Sequence, residues 1–246
     1  MPLLEVIHIS KTFDGLRALD RVDLSVERGE TFGLIGPNGA GKTTLFNVIS
    51  GFLRPDEGQV RFQGDDLVGL RPHQICQKGI ARTFQLVQPF SDMTVLDNVA
   101  AACLFGRQRI ASIPNARERA RQLLALVKLD AKASEPAGRL TLTERKRLEI
   151  VRALATGPEL LLLDEVMAGL TPAESQEMAA VIRQMQTEFR LTVLIIEHNV
   201  RLVTRLSHRM AVLNHGSIIA HGEPADVVKE REVIKAYLGE RRSREI

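Results

Sequence analysis

The run Gly36-Pro37-Asn38-Gly39-Ala40-Gly41-Lys42-Thr43, followed by Thr44, fits the pattern G-x-x-x-x-G-K-[ST] of a Walker A phosphate-binding loop. Glycine at these places lets the backbone close around phosphate oxygens without a Cβ in the way. Successive backbone N–H groups then point inward, and the helix N-terminus behind them adds partial positive charge. Lys42 has the length to reach β- and γ-phosphates, and the Thr43 hydroxyl is a ligand type for Mg²⁺. A second group ends the run Leu160-Leu161-Leu162-Leu163-Asp164-Glu165. A buried strand that delivers a carboxylate at its C-terminal end is where an open α/β sheet holds its ligand. In that arrangement Asp164 holds Mg²⁺, and Glu165 is the general base for the water that attacks the γ-phosphate. Each run has a bland reading, a glycine-rich turn and a solvated acid pair. Together they predict a P-loop nucleoside triphosphatase that works with Mg²⁺, without saying which kind.

The elements that must position these groups are legible as patterns. Thr31–Ile35 reads as a short buried strand running into the glycine loop, and Lys42–Ser50 as the helix behind it, stopped by Gly51. Leu160–Leu163 and Thr192–Ile196 read as strands buried on both faces. Leu4, Val6 and Ile9, then Leu19, Val22, Leu24 and Val26, fall in short strands around an Asp14-Gly15 turn. The stretch 88–157 reads as mostly helical, with Asn115 capping a helix that carries Leu123, Leu124 and Val127, and a second helix over Thr141–Thr156. Ala173–Arg190 is an amphipathic helix with Met178, Val181, Ile182, Met185 and Phe189 at helical spacing. Met210–Leu213 and Ser217–Ala220 form a hairpin around His215-Gly216. At the end, Ile234, Ala236, Tyr237 and Leu238 are placed to dock as a helix, and Glu240-Arg241-Arg242-Ser243-Arg244 to fray. Strands alternating with helices predict an α/β fold with a largely parallel sheet.

Composition narrows the function classes. The 246 residues are 44% hydrophobic and 26% charged, a globular balance that excludes a disordered chain. Trp is absent and Tyr237 is the single tyrosine, a poor basis for stacking single-stranded nucleic acid. The net charge of +3 is spread thinly, so no nucleic-acid partner is expected. Cys76 and Cys103 lie far apart without metal-ligand spacing and read as reduced thiols. No apolar run approaches the ~20 residues of a spanning helix. The opening MPLLEVIHIS has no basic start before an apolar stretch, so it is not expected to be a signal peptide.

At further positions the chain resembles the ATP-binding subunits of ABC transporters. Gln85, in Gly79-Ile80-Ala81-Arg82-Thr83-Phe84-Gln85, falls at that family's Q-loop, which contacts Mg²⁺ and the attacking water. His198, in Ile195-Ile196-Glu197-His198, matches the switch histidine at the γ-phosphate, and Ala168-Gly169-Leu170-Thr171 the D-loop at the dimer interface. Phe13 looks like the aromatic that stacks on adenine. Singly these are also a surface amide, a helix cap and a strand core residue. The family's LSGGQ motif aligns with Leu140-Thr141-Leu142-Thr143-Glu144, which lacks both glycines. There Thr141 and Thr143 can offer hydroxyls to a phosphate, while Thr141-x-x-Glu144 also fits a capping box.

The resemblance implies a single ABC ATPase domain over 1–246. In it, 1–87 and 158–246 make a RecA-like core with a small antiparallel β subdomain, and 88–157 make a helical subdomain. Met93-Thr94-Val95, Arg147-Leu148-Glu149-Ile150 and the ending Val233-Ile234-Lys235-Ala236-Tyr237-Leu238-Gly239 look like the LivG-type subunit of branched-chain amino-acid importers. That implies ATP hydrolysis at the cytoplasmic face of the membrane, two integral membrane permease subunits, and a solute-binding protein acting indirectly. A second ATPase subunit is expected too, in a heterodimer with unequal sites because of the irregular motif, or else in a homodimer. A urea or amide importer, an exporter and a non-transport ABC-type ATPase are the alternatives.

Overall fold

The computed structural model describes residues 1–85 and 88–242. The elements run β1 (Leu4–Phe13), β2 (Leu16–Val26), β3 (Thr31–Ile35), α1 (Lys42–Ile49), β4 (Glu57–Phe62) and β5 (Asp65–Asp66). Next come α2 (Pro72–Lys78), β6 (Ile80–Arg82), α3 (Val95–Phe105), α4 (Ile113–Leu126) and α5 (Leu142–Ala155). The chain continues through β7 (Leu160–Asp164), α6 (Pro172–Phe189), β8 (Thr192–Ile196), α7 (Val200–Leu206), β9 (Arg209–Asn214), β10 (Ser217–Gly222), α8 (Pro224–Val227) and α9 (Arg231–Arg242). Two compact units result, one of residues 1–72 with 192–246 and one of residues 73–191.

The first unit holds an antiparallel sheet in the order β2-β1-β4-β5. Its β1–β2 hairpin turns at Asp14-Gly15, both at positive φ, as the alternating pattern and the Asp-Gly pair predict. The same unit holds β3, flanked by parallel β8 and β9, with β10 antiparallel to β9. Every residue of β3 and β8 is buried, which fits the apolar runs that follow Thr31 and Thr192 at their starts. Gly33 in β3 has a structural reason: a Cβ there would lie 2.4 Å from Val203 and 2.7 Å from Ser207, so the missing side chain is what lets α7 pack on this strand. Val233 of α9 joins Ile35, Val212 and Val227 in one buried cluster, with Tyr237 packed against it. The C-terminal helix therefore buttresses the strand that leads into the glycine loop.

The second unit pairs β6 with β7 in parallel, Ile80–Arg82 against Leu160–Leu162. Burial of Leu160–Leu163 contributes ~1.5–3 kcal/mol per side chain, which fixes the strand that carries the acids. Helices α3, α4 and α5 lie within the stretch 88–157 of this unit. Helix α4 starts at Ile113 with Ser112 at its N-cap, so Asn115 lies inside the first turn rather than capping it. Pro114 explains the difference: a proline in the first turn gives up only an N–H that has no helical partner anyway. At the C-terminus α9 continues through Arg242, so Glu240–Arg242 are helical rather than frayed, while Ser243 and Arg244 lie outside the described residues. Cys76 and Cys103 are free thiols. Among the described residues no helix is long and apolar enough to cross a membrane.

Candidate functional site

The glycine loop joins β3 to α1 in the first unit. Gly36, Gly39 and Gly41 all have positive φ, at 153°, 77° and 106°, conformations that glycine adopts at little cost. Gly41 is the N-cap of α1, where no side chain caps the helix and no acid sits in the first turn. A helix start left without a side-chain cap or a nearby carboxylate suits a phosphate. The buried Lys42 amine donates to the carbonyls of Gly36 at 2.7 Å and Pro37 at 2.8 Å, so it lies across the loop it belongs to. Pro37 and Ala40 are buried, Asn38, Gly39 and Thr43 exposed, and Thr44 half-buried. Behind the loop, the Gly216 amide donates to the Ala40 carbonyl at 2.9 Å, tying it to the β9–β10 turn.

Two more sequence candidates belong to this unit. Phe13 ends β1 and is 40% exposed, with the Lys11 ammonium 5.6 Å from its ring centroid, so it presents a ring at the hairpin tip and is not a strand core residue. His198 is exposed just after β8. It is not a helix cap: Asn199 holds that place on α7 and accepts from the Leu202 amide.

The second unit assembles the acids. Asp164 is 1% exposed and forms an ion pair of 2.7 Å with Arg82, whose side chain is 6% exposed. Its backbone N–H donates to the Thr83 hydroxyl at 3.0 Å. Glu165 has φ 50°, the left-handed region that a glutamate adopts only when its surroundings hold it there. The Gln85 amide donates to the Glu165 carboxylate at 2.9 Å, and the Lys146 ammonium to the Glu165 carbonyl at 3.1 Å. Three candidates, Gln85, Asp164 and Glu165, thus share one corner at the ends of β6 and β7. Gln85 and Asp164 supply amide and carboxylate oxygens at this corner, and in the first unit Thr43 supplies a hydroxyl, each a donor type that Mg²⁺ takes.

The irregular segment is also tied down. Thr141 is the N-cap of α5 in a full capping box: its hydroxyl accepts from the Glu144 amide, and Glu144 accepts from the Thr141 amide at 3.0 Å. Lys132 pairs with Glu144 at 2.7 Å, and that contact is the main cause holding the carboxyl below its usual range. The Thr143 hydroxyl donates to Glu174 in the first turn of α6 at 2.6 Å. That bond, with two more from Thr171, holds the Glu174 carboxyl down to about 2. Gly169 of the Ala168–Thr171 turn sits over Leu142, where a Cβ would lie 3.3 Å from Cδ2.

Sequence reasoning missed Arg82, Thr83, Lys146 and Glu149, which hold the acid corner. Their signal was present in part: Lys146, Glu149 and Arg152 recur every third residue among the apolar Leu148, Ile150, Val151 and Leu154, a polar line where a core face is expected.

Residues 19–168 match the family model of the ABC transporter, and residues 217–242 that of the branched-chain amino acid ATP-binding cassette transporter. The high-affinity branched-chain amino acid transport ATP-binding protein BraF of Pseudomonas aeruginosa is 40% identical, covering 97% of this chain and 98% of its own. LivG of Escherichia coli, described in the same terms, is 38% identical over the same shares. The crystal structure of an ABC transporter's ATP-binding cassette in its ADP conformation superposes with a TM-score of 0.87 at 34% identity, covering 97% of this chain and 99% of that one. Because the likeness reaches well past the phosphate loop to nearly the full length of sequence and fold alike, this chain belongs to the ABC transporter ATP-binding family.

Proposed function

We propose that this chain is the ATP-binding and ATP-hydrolysing subunit of an importer for branched-chain amino acids. The observation that carries the reading is a phosphate loop with an uncapped helix start on a chain 40% identical, along 97% of its length, to a branched-chain amino acid transport ATP-binding protein. The transported solute rests on that kinship and on the match at 217–242, since no residue of an ATPase subunit need touch it.

The residue roles follow from local geometry and chemistry. The backbone N–H groups of Gly36–Thr44, other than Pro37, which has none, and Ala40, which donates to the Pro37 carbonyl, face the triphosphate with the Lys42 ammonium, where charge develops during phosphoryl transfer. Phe13 offers its ring to the adenine, and His198 lies exposed to reach the γ-phosphate. Glu165 takes a proton from the attacking water, and Gln85, bonded to it, orients both. Bound Mg²⁺, held by Thr43, Gln85 and Asp164, would neutralise charge on the β- and γ-phosphates. Arg82 pairs with the buried Asp164 carboxylate, whose charge would be costly there without a partner. Residues 1–87 with 158–246 serve as the nucleotide-binding part and 88–157 as the helical part. The partners are two integral membrane permease subunits and a second ATPase subunit, with a solute-binding protein acting through them. The chain works as a peripheral subunit at the cytoplasmic face of the membrane.

Glu165→Gln is the direct test. ATP binding is expected to persist while hydrolysis falls at least ~10²-fold, the usual size of a general-base contribution. In vesicles holding the assembled transporter, uptake of leucine, isoleucine or valine is expected to require ATP and to stop in this variant. Near-normal turnover would remove Glu165 from the role.

A further inference from the structure

Glu149 lies in the middle of α5 and is 9% exposed, a burial that strips most solvation from its carboxylate. Its Oε1 accepts the backbone amide of Phe84 at 2.5 Å. The next residue is Gln85, whose side-chain amide holds the Glu165 carboxylate at 2.9 Å. One turn earlier on α5, Lys146 donates to the Glu165 carbonyl at 3.1 Å. One turn later, Arg152 donates to the Gln88 carbonyl at 3.3 Å and stacks 5.0 Å from the Phe90 ring. Residues spaced by three share one side of a helix. Along that line α5 therefore grips the turn that carries Glu165, and the segment that carries Gln85 on both sides of it. Burial pushes the Glu149 carboxyl up, while the Phe84 amide, Arg152 and Lys146 draw it back. A carboxyl at such a cost needs a compensating use, and an apolar residue would fill the same place in a plain helix core.

We propose that Glu149 is a positioning residue for hydrolysis: by accepting the Phe84 amide it sets the backbone from which Gln85 holds the Glu165 carboxylate toward the attacking water. This rests on the reading of Glu165 as general base. Glu149 acts through the Phe84 backbone amide, so its effect belongs to kcat and not to ATP binding. The effect also passes through Gln85, so it disappears when that side chain is gone.

The test uses the full chain assembled with its partner subunits. Glu149→Leu keeps the bulk and removes the acceptor; Glu149→Gln keeps an acceptor oxygen in the same place. Glu149→Leu is expected to lower kcat at least ~10-fold with KM for ATP changed less than about twofold, the signature of lost alignment. Glu149→Gln is expected to restore most of that rate. In a Gln85→Ala background, Glu149→Leu is expected to change kcat less than about twofold further, because the two sites act in series. If Glu149→Leu does not fold, Glu149→Asp gives the same reading: it keeps the charge but draws the oxygens back by one methylene, so kcat falls as Glu149→Gln does not. Glu149→Leu with near-parental kcat, equal loss in the Gln and Leu variants, or a full further loss without Gln85 would overturn the inference. Unchanged hydrolysis in Glu165→Gln would instead overturn the general-base reading beneath it, so the two failures are distinguishable.

Discussion

Gly36 and Gly39 share a loop and a positive φ, yet their surroundings differ. A Cβ on Gly36 would lie 2.0 Å from the Leu213 carbonyl oxygen, whereas one on Gly39 would meet nothing within 4 Å. Gly36→Ala must push the loop away from β9, at ~1–3 kcal/mol for the strain alone. It is expected to lower the melting temperature and weaken ATP binding together. Gly39→Ala bears only the backbone term of ~1 kcal/mol and is expected to keep more of both. Nucleotide titration and thermal unfolding of the two variants check this, and equal losses would show that the loop's seat on β9 is unimportant.

Helices α5 and α6 are joined at their starts. Thr143 donates to Glu174, and one turn on Arg147 pairs with Glu177 at 2.5 Å. The Thr171 cap gives Glu174 its remaining bonds, so Thr171→Ala is expected to cost ~1 kcal/mol as a lost N-cap. The pH dependence has a definite sign. Folding lowers the Glu174 carboxyl from 4.5 to about 2, so its stabilisation is complete above the unfolded value and lost as the pH falls through the folded one. In urea unfolding, the midpoint difference between the parent and Glu174→Gln is expected to shrink as the pH drops from about 5 toward about 3. A difference that stays constant over that range would show that the Thr143–Glu174 bond does not need the charge. The same contacts explain the behaviour of the irregular segment: Thr141 is used as a cap and Thr143 as a strut between helices, so both hydroxyls already have protein partners.

At the level of the whole molecule, that commitment bears on partnership. An α5 start that carries the Glu144 carboxylate in its capping box disfavours an approaching phosphate. The chain is accordingly expected to work with a different ATPase subunit whose own helix start is open. ATP hydrolysis measured for this chain alone, for the partner and for their mixture is expected to be high only in the mixture. Full activity of the isolated chain would count against the unequal pair.

The sequence by itself determined the strand–loop–helix that bears Gly36–Thr44, the leucine strand with its two acids, the hairpin at Asp14-Gly15 and the capping box at Thr141; the second box, at Thr171, came only with the structure. These are local: apolar runs, glycine conformations and i to i+3 bonds depend on neighbours a few residues away. It also showed the family, because motif order survives without any contact being known. The tertiary structure alone decided the partners that hold the chemistry: Arg82 against Asp164 across 82 positions, Gln85 against Glu165 across 80, Glu149 against the Phe84 amide across 65. It alone placed Phe13 in the open and gave the cap of α7 to Asn199 instead of His198. A charged residue in a helix reads the same whether it faces water or a buried amide. What separates the two is which strand end the fold brings opposite it, and that is set by packing over the whole unit.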